Sequence, residues 1–387
     1  MSARSARRLA AVTAVLVIAV IALPRLPPVR TIVLTAALVP EMIQLGPPPL
    51  TMAAPPPARE TVYYGTPLDR MDIYFPAGAA RGSSRPAVVL ALGVHPQPID
   101  HPDITRLATA ISRAGVVVGV PDSTDLRNLR VTPAEPGHLA DAFLTVASRP
   151  EVDAGRVGLA GFSAGASIAL LAAADRRIAA SVRYVSAFGG YADAERLLVD
   201  VATRTSLSDG QAIAWPSDAG IRRDVLELAL ATLDSDSARD HLRARLTPIV
   251  SADGPPAGPS PGDLDDLSGD PRAMYLLFTA PDRNGATAAI ASLRPDLRSH
   301  LAGISPLSVA GDIRSPVFLL HGAPDTAIPV AHAALLEEAI GDQVVRTTIF
   351  GRFGHEQPGV TGLDLDDAGD IWELSLYLRD IVAAATE

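Results

Sequence analysis

The chain has 387 residues, 48% of them hydrophobic, with a formal net charge of -10 and no cysteine. That length and apolar content suffice for one large domain with an insertion, or for two domains, and exclude a disordered protein. The negative charge, with no basic stripe beyond the extreme N-terminus, argues against a nucleic-acid partner.

All 33 lysine-or-arginine positions are arginine. Thiol nucleophiles, thiolate zinc sites and iron-sulfur clusters therefore drop out with cysteine, and Schiff-base or P-loop lysines drop out with lysine. Without cysteine there are no disulfides, which leaves the redox compartment open.

Arg4, Arg7 and Arg8 precede an apolar run over 9–23 that only Thr13 interrupts. As a helix that run spans about 22 Å, short for a hydrocarbon core of about 30 Å and equally suited to a signal peptide. Leu23 is followed by Pro24, Arg25, Leu26 and two more prolines, not by the small residues of a cleavage site. Residues 1–45 are thus expected to form an uncleaved membrane anchor, with the arginines inside and the remainder extracytoplasmic. Secretion after cleavage stays open. So does a hairpin between 9–23 and a second apolar stretch, 31–39, which would return the domain to the cytoplasm, and so does an interfacial helix there. Residues 46–59 are Pro-rich and read as a stiff spacer.

The folded domain is expected over 60–387. TVYYG and MDIYFP predict a hairpin, AVVLALG (87–93) a buried strand, and 103–114 an amphipathic helix. There follow a strand at 116–121, a helix near 135–148, a strand at 156–161, a helix at 164–175 and a strand at 181–188. This alternation predicts an α/β fold, a mainly parallel, doubly wound sheet with helices on both faces. It stops near 192 and resumes at PVFLLHG (316–322). The stretch between, with helical patterns and an acidic Pro/Gly-rich segment at 251–271, is expected to be an inserted helical cap over about 192–315.

Ester hydrolysis by a serine needs an exposed hydroxyl, a base and donors for the oxyanion. Gly161-Phe162-Ser163-Ala164-Gly165 follows an apolar strand and precedes a helix-forming run, the context of a nucleophile elbow. A second match, Gly258-Pro259-Ser260-Pro261-Gly262, lies in the Pro-rich insert and cannot enter a helix. Ser163 is thus the expected nucleophile. The acid and base should follow in that order. Asp325 lies just past the strand ending His321-Gly322. Of the two later histidines, His332 sits in an amphipathic helix, where a surface or packing role is expected. His355 lies in a glycine-flanked loop after the short strand RTTIF and is the expected base. The backbone N–H groups of Ala164 and Val94 are the expected oxyanion donors. His95, His101, Asp122 and His321 read as structural, although His95 could approach the site.

These residues resemble the α/β-hydrolase superfamily, in particular its esterase and dienelactone-hydrolase-like or prolyl-oligopeptidase-like branches. The resemblance rests on TVYYGTPLDRMDIYFP, GLAGFSAGASIAL, SPVFLLHGAPDTAIP and FGRFGHEQPG, in that order, and covers most of 60–387. One departure is Leu92-Gly93, where the family usually has His-Gly at the end of the oxyanion strand; a backbone donor should tolerate it. The resemblance implies hydrolysis of a small carboxylic ester through an acyl-enzyme, with no metal or organic cofactor. A serine peptidase of the oligopeptidase type and a catalytically silent binding protein are the alternatives. Substrate groups and oligomeric state are not legible.

Overall fold

The structure, a computed structural model, describes residues 11–17, 27–44, 46–66, 68–94, 99–208, 210–260, 262–351 and 368–386. Its centre is an eight-stranded sheet of order β1-β2-β4-β3-β5-β6-β9-β10. The strands are β1 (Ala58–Tyr64), β2 (Asp69–Phe75), β3 (Arg85–Ala91), β4 (Val117–Pro121), β5 (Val152–Phe162), β6 (Val182–Phe188), β9 (Val317–Gly322) and β10 (Val344–Phe350). β1 and β2 form an antiparallel hairpin, β2 joins β4 antiparallel, and every pairing from β4 to β10 is parallel. This is the α/β-hydrolase fold.

The parallel strands read as unbroken apolar runs because both faces of the sheet are covered, and alternation decides which face each side chain meets. Ala87, Val89 and Ala91 pack with Phe143 of α6 (Glu135–Ala147) and Ile168 of α7 (Ala164–Ala173). Val88 and Leu90 pack on the other face with Leu107 of α4 (Pro102–Arg113) and Tyr377 of α15 (Ala368–Thr386). β3 has β4 on one side and β5 on the other, so the chain winds away in opposite directions from the β3/β5 boundary. Such a switch point opens a crevice at the carboxyl ends of the two strands.

Part of the segment expected to serve as anchor and spacer is instead part of the domain. α2 (Pro27–Met42) buries Leu34, Ala37, Leu38 and Val39 in the same cluster as Tyr377 and Leu107. The Pro-rich stretch holds a short helix, α3 (Pro49–Ala53), with Leu50 wholly buried. Glu41 ties the two together: its carboxylate accepts the Leu50 N–H at 3.0 Å and the Thr51 hydroxyl at 2.5 Å. Burying a Leu or Val side chain contributes about 1.5–3 kcal/mol, so packing against the domain holds stretch 31–39 in place. Residues 11–17 are helical (α1). Among the described residues no helix is long and apolar enough to cross a membrane.

Between β6 and β9 lie the helices α8 (Ala194–Thr203), α9 (Ala219–Leu230), α10 (Asp236–Ser251), α11 (Gly269–Thr279), α12 (Arg283–Ala291) and α13 (Pro295–Gly303), with a two-stranded hairpin, β7 (Thr205–Ser208) and β8 (Gln211–Ala214). They share a core of their own that includes Leu226, Leu242, Leu246, Tyr275 and Phe278. That core reaches the sheet domain through Ala164, Tyr191 and Ile328.

Candidate active site

β5 ends at Phe162 and α7 begins at Ala164, which leaves Ser163 alone in the turn between them. Its backbone sits at φ 55°, ψ -132°, a left-handed value that a residue with a side chain rarely adopts. Two backbone bonds hold it there: the Ser163 N–H donates to Phe188 O at 2.8 Å, and the Ala166 N–H donates to Ser163 O at 2.9 Å. The flanking glycines are sterically required. A Cβ on Gly161 would lie 2.2 Å from Gly165 O, and one on Gly165 would lie 2.3 Å from both Ala91 O and Leu92 O. The Ser163 side chain does not cap α7, so the helix presents its N-terminal Ala164 N–H beside the half-buried hydroxyl. Ser260, by contrast, is exposed outside any helix or strand, its N–H donating to Asp263 Oδ2 at 2.7 Å.

Gly93 and Val94 follow β3 and face the elbow. A Cβ on Gly93 would come within 3.0 Å of Ser163 Cβ and 3.5 Å of its Oγ. Val94, Ser163 and Ala164 line one cavity of about 600 Å³. The cavity is roofed by apolar side chains of the cap, among them Leu198, Val225 and Leu301.

Asp325 lies in the turn after β9 and is buried. Its Oδ1 accepts the N–H groups of Ala327 at 2.8 Å and Ile328 at 2.9 Å, and both residues line the cavity beside Ser163. His321, also buried, has its Nε2 at 2.9 Å from Ile328 O and 3.4 Å from Asp325 Oδ2. The cap reaches in from the other side. Trp215 donates its indole N–H to Asp325 O at 2.8 Å, and the Asp218 N–H donates to Thr326 O at 3.1 Å. The insert therefore does more than cover the cavity, because it anchors the loop that carries the expected acid. Nothing in the local pattern around Trp215 signals this role; a lone tryptophan in a polar connection is the only trace.

Ser163 follows β5 and Asp325 follows β9, two strands away in the order β5-β6-β9 and so about 10 Å across the sheet. A gap of that size suits an interposed imidazole. His355, the expected base, lies outside the described residues, as does His95. The chain entering its segment leaves β10 at Phe350, opposite Gly322 of β9, and Phe350 O accepts the Ala323 N–H at 2.7 Å. The path to His355 thus starts beside the Asp325 turn.

Several of the other described histidines and carboxylates have local partners. His332 is wholly buried, its Nδ1 accepting the Ala192 N–H at 3.1 Å. His101 caps α4, and Asp122 pairs at 3.0 Å with Arg127 of the short helix α5 (Thr124–Arg127). A separate recess of about 40 Å³ beside Gly93 holds Glu135, whose carboxyl burial pushes up to about 7 even though the Ser123 hydroxyl donates to it at 3.0 Å. Among the described residues no group of three His, Asp or Glu side chains could hold a metal ion.

No protein-family model matches the sequence, and no curated protein matches it significantly. Among solved structures the chain is similar to an acylaminoacyl peptidase of Pyrococcus horikoshii, at 12% identity and a TM-score of 0.47, over 85% of this chain and 41% of that one. It is also similar to a puromycin-hydrolyzing peptidase of Mycobacterium tuberculosis, at 15% identity and a TM-score of 0.46, over 79% of this chain and 36% of the other. Dipeptidyl peptidase 4 of Porphyromonas gingivalis aligns at 13% identity and a TM-score of 0.45, over 79% of this chain and 33% of that chain. The chain thus spans about a third to two fifths of the length of these peptidases.

Proposed function

We propose that this chain is a serine hydrolase that cleaves an acyl bond through an acyl-enzyme intermediate. The observation that carries the reading is the elbow: a serine forced to positive φ between two glycines that tolerate no side chain, opening into a large apolar cavity. In this reading the Ser163 Oγ attacks the acyl carbonyl while His355 takes its proton, and Asp325 orients the imidazole without itself being protonated. The N–H groups of Ala164 and Val94 stabilise the oxyanion. His355 then returns the proton to the leaving group, and water hydrolyses the acyl-enzyme by the same steps.

A carboxylic ester with an apolar acyl or alcohol group is one substrate class, suited to the apolar walls. A peptide bond is the second, and the peptidases named above are the reason to weigh it. The same groups serve both, since the bonds differ in leaving group and not in the intermediate. We further propose that the apolar run 9–23, behind its three arginines, attaches the domain to a membrane. Fractionation tests that point: full-length protein that stays soluble with an intact N-terminus rules it out.

The enzymatic reading is tested with a fluorophosphonate probe, a panel of activated esters of rising acyl length, and peptidyl amides. Ser163→Ala should abolish labelling and lower hydrolysis by about 10⁴ to 10⁶, whereas Ser260→Ala should change neither. Persistent labelling of folded Ser163→Ala protein overturns the assignment. The ratio of ester to amide turnover decides between the substrate classes.

A further inference from the structure

Along α9, Ile221, Val225, Leu228 and Ala229 recur at helical spacing and form one wall of the Ser163 cavity. Asp224 sits within that stripe and lines the cavity with them. Its charged neighbours on the helix bond elsewhere, although the Arg223 charge still favours the ionised form of Asp224. Glu227 pairs with Arg243 at 2.7 Å, and Arg223 reaches the Ser251 hydroxyl at 3.4 Å. The other polar side chains of the α9 and α13 walls are also held: the Thr232 hydroxyl donates to Ala229 O at 2.7 Å, and His300 Nε2 lies 2.9 Å from Val131 O. Among the described residues the Asp224 carboxylate has no hydrogen bond or ion pair. It is exposed while lining the cavity, and partial burial raises its pKa.

An apolar substrate seated against this wall would cover that carboxylate. A carboxylate stripped of water with nothing in return is costly, and a purely apolar ligand would meet that cost. A ligand with a positive charge on an apolar body would relieve it, and the chain's net charge of -10 favours the approach of such a cation. We propose that the cavity selects substrates that carry an ammonium or guanidinium group on an aliphatic or aromatic body, with Asp224 as the counter-ion. The proposal rests on the hydrolase reading only for its word substrate; the cation site itself is a matter of binding.

The test therefore separates the two. Calorimetry on full-length Ser163→Ala protein measures binding of n-octylamine, protonated at neutral pH, against 1-octanol, which has the same chain and no charge. Octylammonium should bind about tenfold more tightly, and Asp224→Asn in the same background should bring that ratio close to one. Asp224→Glu should retain the preference, and raising the salt concentration should weaken it. Equal affinities before substitution, or a preference that survives Asp224→Asn in protein shown to be folded by thermal unfolding, overturns the proposal. Failure of the wild-type protein to react with fluorophosphonate would instead remove the hydrolase reading and leave the amine result standing.

Discussion

His332 of α14 (Ala331–Ile340) points its Nε2 at Asp200 Oδ2 of α8, 3.2 Å away, with both side chains wholly buried. Because Nδ1 accepts the Ala192 N–H, the imidazole proton belongs on Nε2, facing the carboxylate. Arg283 of α12 stands 2.5 Å from the other oxygen of Asp200. The three side chains bolt the cap to the sheet domain. Removing one partner of such a buried pair leaves the other charge uncompensated, so Asp200→Ala should cost about 3–5 kcal/mol by urea unfolding.

Burial holds the His332 pKa below its ordinary value of 6.5. As pH falls, the unfolded chain takes up a proton there before the folded one does. This contribution to stability is therefore complete above 6.5 and is lost as pH drops from that value toward the folded pKa. His332→Gln should flatten the decline between about pH 7 and pH 5. An unchanged slope would show that His332 is not the group responsible.

The glycines at the elbow should separate folding from chemistry. Gly161→Ala and Gly165→Ala would each put a Cβ within 2.3 Å of a backbone oxygen, and neither variant should yield stable protein. Gly93→Ala meets Ser163 Cβ at 3.0 Å, a contact that a shift of a few tenths of an ångström relieves. It should fold, lose about 1 kcal/mol, and lose turnover about 10- to 100-fold as the oxyanion loop moves. Thermal unfolding beside fluorophosphonate labelling rates reads both effects, and full activity in Gly93→Ala would argue that Val94 is not a donor.

Trp215→Phe keeps the packing and deletes the indole donor to Asp325 O. Leaving that buried carbonyl unpaired should cost about 1–3 kcal/mol. Turnover should also fall on small esters that never fill the cavity, and this distinguishes support of the Asp325 turn from a simple effect on the roof. Unchanged kcat on a short acetyl ester would remove the proposed support.

Deletion of residues 1–26 should leave the thermal midpoint of the domain within a few degrees of the full chain, since α2 begins after them. Deletion of 1–57 strips α2 and α3 from the cluster around Leu107 and Tyr377 and should give aggregated or unfolded protein. A soluble, cooperatively folding truncation at residue 58 would show that α2 is dispensable.

The sheet and elbow were legible because local pattern and final environment agree there. An apolar strand covered on both faces reads as an unbroken run, and Ser163 stands where strand pattern passes to helix pattern. The α2 segment misled for the opposite reason. Its apolar residues lie close behind an arginine-flanked run and ahead of prolines, and what they bury against, chiefly α15, comes more than 300 residues later. His332 carried a helical period that fits a packing position, but only the fold brings Asp200 and Arg283 to it. The role of Asp224 was invisible as well, since an aspartate among charged neighbours reads as a solvated face until the helix is seen to form a cavity wall.

The interruption of the sheet by the cap also orders events in time. Val185 of β6 and Val317 of β9 are neighbours in register, yet the whole cap is synthesised between them. The elbow residues 161–165 are therefore synthesised before the acid and base proposed to act on Ser163. Closing β9 onto β6 spans a long loop and is correspondingly slow and late. Under the proposed triad, a chain released before β9 forms would lack the acid and base assigned to Ser163 and should not label with fluorophosphonate.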